Sequence, residues 1–411
     1  MPFKENIVSF KTFSFHPQIN AGILAAGYDT PTPIQSQTIP AIQSGKDLLG
    51  LAQTGTGKTA AFVLPILEHL MKGPRGKVRA LILAPTRELA EQTNQAIKQL
   101  GRQTGLRSMT VYGGVSASSQ ISALRSGVDI VVACPGRLLD LKQQRAINLD
   151  KIEILVLDEA DQMFDMGFLP SIRKIISFTP ANRQTLLFSA TMPNEIRKLA
   201  TEMLHNPVTF EISITKPIDT ISHVILTIDQ SQKLDMLLQL LRESDNGKVL
   251  VFTRTKHRAK KLAIQLAQAG HKSTSLQGNL SQSKRDAAMN AFRRGQVKVL
   301  VATDIAARGI DVSQVSHVIN FDIPDTVDAY THRTGRTGRM EHLGIALTLV
   351  TRDDVQMVRS IERVLGERLE RRDISQYNLT QKSEGQKTFN REDRPVARKK
   401  QSRHNAYARS Y

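Results

Sequence analysis

Short apolar runs recur along this chain, each followed by a polar–apolar segment with helical spacing. In the first half they are Asp47–Leu51, Ala80–Ala84, Asp129–Ala133, Ile154–Leu157 and Thr185–Phe188. In the second half they are Lys248–Phe252, Lys298–Ala302, His317–Asn320 and Ala346–Val350. Runs this short, spaced by helical segments, fold as buried parallel strands joined by crossover helices. The expected fold class is α/β, with two tandem parallel sheets flanked by helices. One connecting helix is explicit between Thr255 and Ala269. Thr255 can cap its start, Leu262 and Leu266 recur at helical spacing, and Gly270 can end it.

Asn206-Pro207 and Lys216-Pro217 interrupt regular structure between His205 and Thr220. The expected organisation is an N-terminal segment (1–37), a first domain (38–210), a linker (211–220), a second domain (221–375) and a tail (376–411). In the tail, basic residues such as Lys382, Arg391, Lys399 and Lys400 far outnumber the acids Glu384, Glu392 and Asp393. Few aliphatics remain there, which is the composition of a disordered segment. Phe389, Tyr407 and Tyr411 could stack on bases if the tail tethers RNA.

The chain carries 56 Lys and Arg against 38 Asp and Glu, a formal net charge of +18. Such an excess points to a polyanionic partner, nucleic acid first. No run approaches the roughly 20 apolar residues of a membrane span. Met1–Phe10 lacks the apolar core of an export signal, and Cys134 is the only cysteine. The expectation is a cytoplasmic protein with no intramolecular disulfide, no Cys-based structural metal and no membrane.

Three motifs carry chemistry. Ala52-Gln53-Thr54-Gly55-Thr56-Gly57-Lys58-Thr59 follows an apolar strand and opens a helix, the context a phosphate loop requires. Its glycines let the backbone approach phosphates, Lys58 can reach the β/γ-phosphates, and Thr59 can join a Mg²⁺ shell. Ala52 stands where the general pattern has glycine. Next, Ile154–Leu157 delivers Asp158-Glu159-Ala160-Asp161 to a strand's carboxyl end, where open α/β sheets bind ligands. Asp158 is the candidate Mg²⁺ partner, and Glu159 the candidate that orients or deprotonates the attacking water. Last, His332–Arg339 sets Arg333, Arg336 and Arg339 among glycines. Their fixed-charge forks suit charge developing on a transferred phosphoryl group.

With these motifs in order, the chain resembles the DEAD-box RNA helicases. The resemblance rests on Pro31–Gln35, Ala52–Thr59, Pro85–Leu89, Asp158–Asp161, Ser189–Thr191, Thr303-Asp304 through Arg308–Asp311, and His332–Arg339. It runs from about Phe10 to about Val350, and the compact layout with a short basic tail is most similar to the bacterial RhlE-like group. It implies two RecA-like domains with ATP and Mg²⁺ between them and RNA across both. Tyr28, Thr32 and Gln35 would read adenine above Phe10. Asp311 would bind ribose, Gly309 would lie beside the γ-phosphate, and Arg336 and Arg339 would be the fingers. Ser189 and Thr191 would couple hydrolysis to strand separation near Asp158 and Asp161. Thr86, Arg87, Gly113, Gly114, Gly136 and Arg137 would hold the RNA backbone in the first domain. Arg254, Gln277, Gly278 and Thr303 would do so in the second.

Two positions depart from that family's pattern. Cys134 stands where Thr is usual, and Thr334 replaces a commonly apolar residue; neither removes a catalytic group. The expected function is an RNA-dependent ATPase that locally unwinds short duplexes or remodels RNA–protein complexes. Ribosomal precursors or RNA-decay machinery are partners that the resemblance allows. An ATP-gated RNA clamp with little unwinding is the alternative. A DNA translocase is disfavoured by Gln35 and by the Asp158–Asp161 spelling.

Overall fold

A computed structural model describes residues 9–52, 55–211, 221–244, 247–307, 315–338, 343–375 and 377. The first sheet is built from β1 (Leu48–Leu51), β2 (Ala80–Leu83), β3 (Ser108–Val111), β4 (Ile130–Ala133), β5 (Ile154–Leu157), β6 (Gln184–Ser189) and β7 (Val208–Glu211). Its order is β3-β4-β2-β5-β6-β1-β7, and every pairing is parallel. The second sheet holds β8 (Ile221–Thr227), β9 (Lys248–Phe252), β10 (Ser273–Leu276), β11 (Val299–Ala302), β12 (Val315–Asn320), β13 (Gly344–Val350) and β14 (Glu370–Arg371). Its order is β10-β11-β9-β12-β13-β8-β14, again all parallel.

Burial on both faces explains the continuous apolar runs. Along β2, Ala80 and Ile82 enter one core while Leu81 and Leu83 enter the other. β4 and β5 divide the same way, with Val132 and Val156 on one side and Val131 and Leu155 on the opposite side. In the second sheet Val249 and Val251 of β9 pack on one face, Leu250 and Phe252 on the other. Each sheet is thus a middle layer between helices.

Every expected run is a strand. β3, β7, β8, β10 and β14 are additional. β7 falls inside the segment read as a break after His205, yet it pairs with β1. β3 and β10 are hydroxyl-rich edge strands, only partly buried apart from their last residues. The expected helix is present as Lys256–Gln268. The Thr255 hydroxyl accepts from the Arg258 amide, and Gly270 sits at φ 89° beyond its end.

Candidate active site

The loop after β1 turns into the helix Lys58–Leu70, whose start is capped by Gly57 at φ 94°. Only glycine suits that backbone. A Cβ there would also lie 2.6 Å from Gln35 Nε2 and 3.0 Å from Thr32 Oγ1. Lys58 is buried and its Nζ donates to the Ala52 carbonyl at 2.6 Å. Gln35 ties this loop to the segment before it: Oε1 accepts from the Thr32 amide at 2.9 Å, and Nε2 donates to the Gly57 carbonyl at 3.1 Å. One Nε2 hydrogen and one Oε1 lone pair remain, the pair of functions an adenine edge can use. Phe10, itself buried, stacks under the partly exposed Tyr28 with centroids 6.1 Å apart and planes 25° off parallel. These residues form an aromatic shelf beside a phosphate loop.

At the end of β5, Asp158 and Glu159 are both buried. Glu159 lies at φ 54°, an uncommon region for a residue with a Cβ, where it caps the short helix Ala160–Asp165. Asp158 Oδ1 is buried with no hydrogen-bond partner among the described residues. Burial pushes the Asp158 carboxyl up, against the pull of the Lys58 ammonium, and the neighbouring Glu159 charge pushes it further. A buried carboxylate oxygen without a donor is costly unless a cation meets it. A Mg²⁺ held by one carboxylate, one hydroxyl and substrate phosphates would fit the unpartnered Asp158 oxygen, with Asp158 and Thr59 of the phosphate loop as the candidate protein ligands.

Asp161 is satisfied instead. Its Oδ2 accepts from the Ala190 amide at 3.1 Å, the Thr191 amide at 2.9 Å and the Thr191 hydroxyl at 3.1 Å. Its backbone amide donates to Ser189 Oγ at 3.2 Å, and that hydroxyl donates to the Thr191 carbonyl at 2.7 Å. Burial would raise the Asp161 carboxyl, yet His332 of the second domain, Lys58 and the Thr191 amide bring it down to about 2. His332 Nε2 stands 3.7 Å from Asp161 Oδ2, an ion pair when the imidazole is protonated.

The two described arginines of this motif, Arg333 and Arg336, separate into different roles. Arg336 is buried in a small hollow shared with His332, Ala307 and Asp304, and its Nε donates to the His332 carbonyl at 3.2 Å. Arg333 corrects the expectation that all three are forks for a phosphoryl group. It lies in the domain interior with a two-pronged contact to Asp304, at 2.5 and 2.7 Å. It also donates to Asn320 Oδ1 and the Asp322 carbonyl, and stacks over Phe252 at 5.0 Å. Gln53, Thr54, Gly309, Asp311 and Arg339 lie outside the described residues, as does the tail apart from Tyr377.

The expected RNA contacts gather at the carboxyl ends of both sheets. Thr86 Oγ1 caps the helix Arg87–Leu100 by accepting from the Leu89 amide. Arg87 lies over the Tyr112 ring at 4.1 Å. A Cβ on Gly113, Gly114, Gly136 or Gly278 would meet nothing within 4 Å, so these glycines face open space. Only Gly114 needs its residue type for a positive φ, 81°. Arg137 is held by the Val115 carbonyl and Asp140, and Arg254 by Asp325. Gln277 is buried, its Oε1 accepting from the Asn279 amide, and the Thr303 carbonyl accepts from Ala306 and Ala307. The two departures are quiet. Cys134 caps Pro135–Gln143 without a side-chain bond, and burial pushes its thiol up to about 12. Thr334 returns its hydroxyl to the Tyr330 carbonyl at 3.0 Å.

Sequence reasoning missed the pairs that join the domains. Arg285, in the helix Gln282–Arg293, donates to Glu88 Oε1 from Nη2 at 2.6 Å and from Nε at 3.1 Å. Arg87 Nη2 is 3.5 Å from Asp286 Oδ2. His332 was within a quoted motif, but nothing in the spacing pointed it at Asp161.

A phosphate loop, a metal-ready aspartate and a second domain facing them define a two-domain RecA-like nucleoside triphosphatase. Residues 32–199 match the DEAD/DEAH box helicase model, and residues 232–341 match the helicase conserved C-terminal domain. The chain belongs to the DEAD-box ATP-dependent RNA helicase family. It is 42% identical over 359 residues to the ATP-dependent RNA helicase CshA of Limosilactobacillus reuteri, covering 87% of this chain and 72% of that one. It is 44% identical over 346 residues to the RNA helicase CrhR of Synechocystis sp., covering 84% and 70%. Among solved structures, S. cerevisiae Dbp5 bound to RNA and ADP BeF3 is similar, with a TM-score of 0.82 and 32% identity, covering 89% of this chain and 95% of that one.

Proposed function

We propose that ATP and RNA together draw the two domains closed, and that closure switches on hydrolysis which opens short RNA duplexes or remodels RNA–protein complexes. The observation that carries this reading is the approach of His332 to Asp161 at 3.7 Å, across the domain boundary and beside the strand end bearing Asp158 and Glu159. The likeness to Dbp5 in its RNA- and ADP BeF3-bound form supports it, because a TM-score of 0.82 over 89% of the chain spans both domains.

In this reading Phe10, Tyr28, Thr32 and Gln35 select adenine, and the loop Ala52–Thr59 cradles the phosphates. Thr59 and Asp158 would hold Mg²⁺, which would supply charge neutralisation at the phosphates. Glu159 orients the attacking water, and Lys58, Arg336 and Arg339 stabilise the transferred group. Gly309 and Asp311 complete the nucleotide contacts. Ser189 and Thr191 report closure through Asp161. Thr86, Arg87, Gly113, Gly114, Gly136, Arg137, Arg254, Gln277, Gly278 and Thr303 grip phosphates and sugars, so sequence selectivity is low. About five phosphate contacts give a log–log salt slope of roughly −3 to −4.

Glu159→Gln tests the assignment. It should abolish RNA-stimulated turnover while ATP-dependent RNA binding persists; turnover equal to the unmodified protein would refute it. A strand-displacement assay separates helicase from clamp, since a clamp binds RNA with ATP but releases no displaced strand.

A further inference from the structure

A groove outside the nucleotide site lies on the outer edge of the second domain. It has a volume of about 640 Å³ and runs between the helix Lys256–Gln268 and the free side of edge strand β10. At one end stand Lys256, His257, Lys260 and Lys284, all exposed. No Asp or Glu lines the groove, and none of these four has an acidic partner among the described residues. The first turns of two helices, Lys256–Gln268 and Gln282–Arg293, also open at this end and add partial positive charge. The floor beyond is apolar, with Ile264 about half exposed.

We infer that this groove binds RNA that continues past the helicase core. The inference rests on the RNA-backbone role proposed for Gln277, which also lines the groove's basic end. β10 runs into Gln277, so the groove leads from the sheet's carboxyl end, where the core contacts lie, outward along the edge strand. A strand leaving the core there meets three uncompensated lysines that suit phosphates, the Ser273–Ser275 hydroxyls that suit sugars, and an apolar floor on which a base can rest. No Phe, Tyr or Trp lines the groove, and its contacts are mostly charge and hydroxyl, so it gives affinity with little base preference. An acidic peptide would match the charge but not the continuity with Gln277, and the basic tail would be repelled.

The test is the full-length triple variant Lys256→Gln/Lys260→Gln/Lys284→Gln. RNA binding is measured by fluorescence anisotropy with a non-hydrolysable ATP analogue, using oligonucleotides of about 6 and about 15 nucleotides. The unmodified protein should bind the longer RNA tighter, and the variant should lose about tenfold on it with a salt slope shallower by about 2. The short RNA and its stimulation of ATPase should be unchanged. Equal losses on both lengths, or no loss on the longer one, would overturn the groove site. So would a labelled polyglutamate peptide whose binding the variant abolishes while RNA binding stays intact. If the unmodified protein shows no ATP-dependent grip on the short RNA, the closure reading itself falls and the groove proposal falls with it. A normal short-RNA grip without a gain from length removes the groove alone.

Discussion

Replacing Arg285 with Glu should uncouple RNA from ATP without unfolding either domain. Arg285 and Glu88 belong to different domains, are 15% and 11% exposed, and approach to 2.6 Å. At an effective dielectric of about 20, that separation is worth about 6 kcal/mol of gross attraction. Desolvating both groups takes back most of it, leaving about 2 kcal/mol for the joined state. Arg87 and Asp286 add little, because Asp286 is 55% exposed. In the variant Glu88 faces a carboxylate instead of a cation. A loss of about 2 kcal/mol is about thirtyfold in the apparent RNA affinity measured with a bound ATP analogue.

The pair bridges domains and supports neither core, so the urea midpoint should hold while RNA-stimulated ATPase drops. Glu88→Arg/Arg285→Glu restores complementarity, placing two cations on the first domain opposite two acids on the second. The four proteins close a double-mutant cycle with a coupling energy of about 2 kcal/mol. A coupling below about 0.5 kcal/mol, or a swap no better than the single variants, would refute the claim that this contact favours closure.

Three further outcomes follow from single sites. His223, held by Tyr330 Oη at 2.9 Å, is pushed down to about 4 by burial, so folding keeps it neutral. Its contribution is complete above the unfolded value of about 6.5 and declines as pH falls toward 4, costing about 2 kcal/mol by pH ~5; urea melts of His223→Gln should lack that decline. Gly57→Ala should raise the ATP KM at least about tenfold, from a positive φ and a Cβ 2.6 Å from Gln35, while nucleotide-free RNA affinity is unchanged. Arg333→Lys should lower the thermal midpoint by breaking a buried two-pronged contact worth about 3 kcal/mol, whereas Arg336→Lys should lower kcat with the midpoint held; the reverse pattern would exchange their roles.

How much of this was legible depends on whether the signal is local. β2, β4, β5, β9 and β11 read directly as strands because burial on both faces demands unbroken aliphatics. β3 and β10 did not, since an edge strand half open to solvent accepts Ser and Thr. β8 carries Ser222 and His223 inside its run, which breaks the apolar pattern. The phosphate loop was legible because contiguous backbone must wrap phosphates. Glu88 and Arg285 are 197 residues apart and left no local trace. Arg333 could have been distinguished: it sits three residues after Tyr330 on the helix Val327–Thr334, sharing a buried face with it.

Asp158 and Asp161 show why one acidic cluster can serve two purposes. They stand at opposite ends of a four-residue turn, both almost fully buried. Asp161 receives four hydrogen bonds from the protein, three of them from Ala190 and Thr191, and faces His332. Those donors saturate the carboxylate and fix it as a strut between two segments of the first domain and one of the second. Asp158 Oδ1 receives none among the described residues. Folding surrounds one acid with donors and leaves an oxygen of the other without any among the described residues. A buried carboxylate oxygen without a donor is costly unless a cation meets it, so in the proposed reading Mg²⁺ arriving with nucleotide would relieve Asp158. On the proposed reading, metal binding and domain closure would act on two acids three residues apart: the first would be relieved by what enters the site, and the second by which domain arrives. An Asp161→Asn variant, which keeps the size but removes the charge facing His332, should weaken closure and leave Mg²⁺·ATP affinity intact.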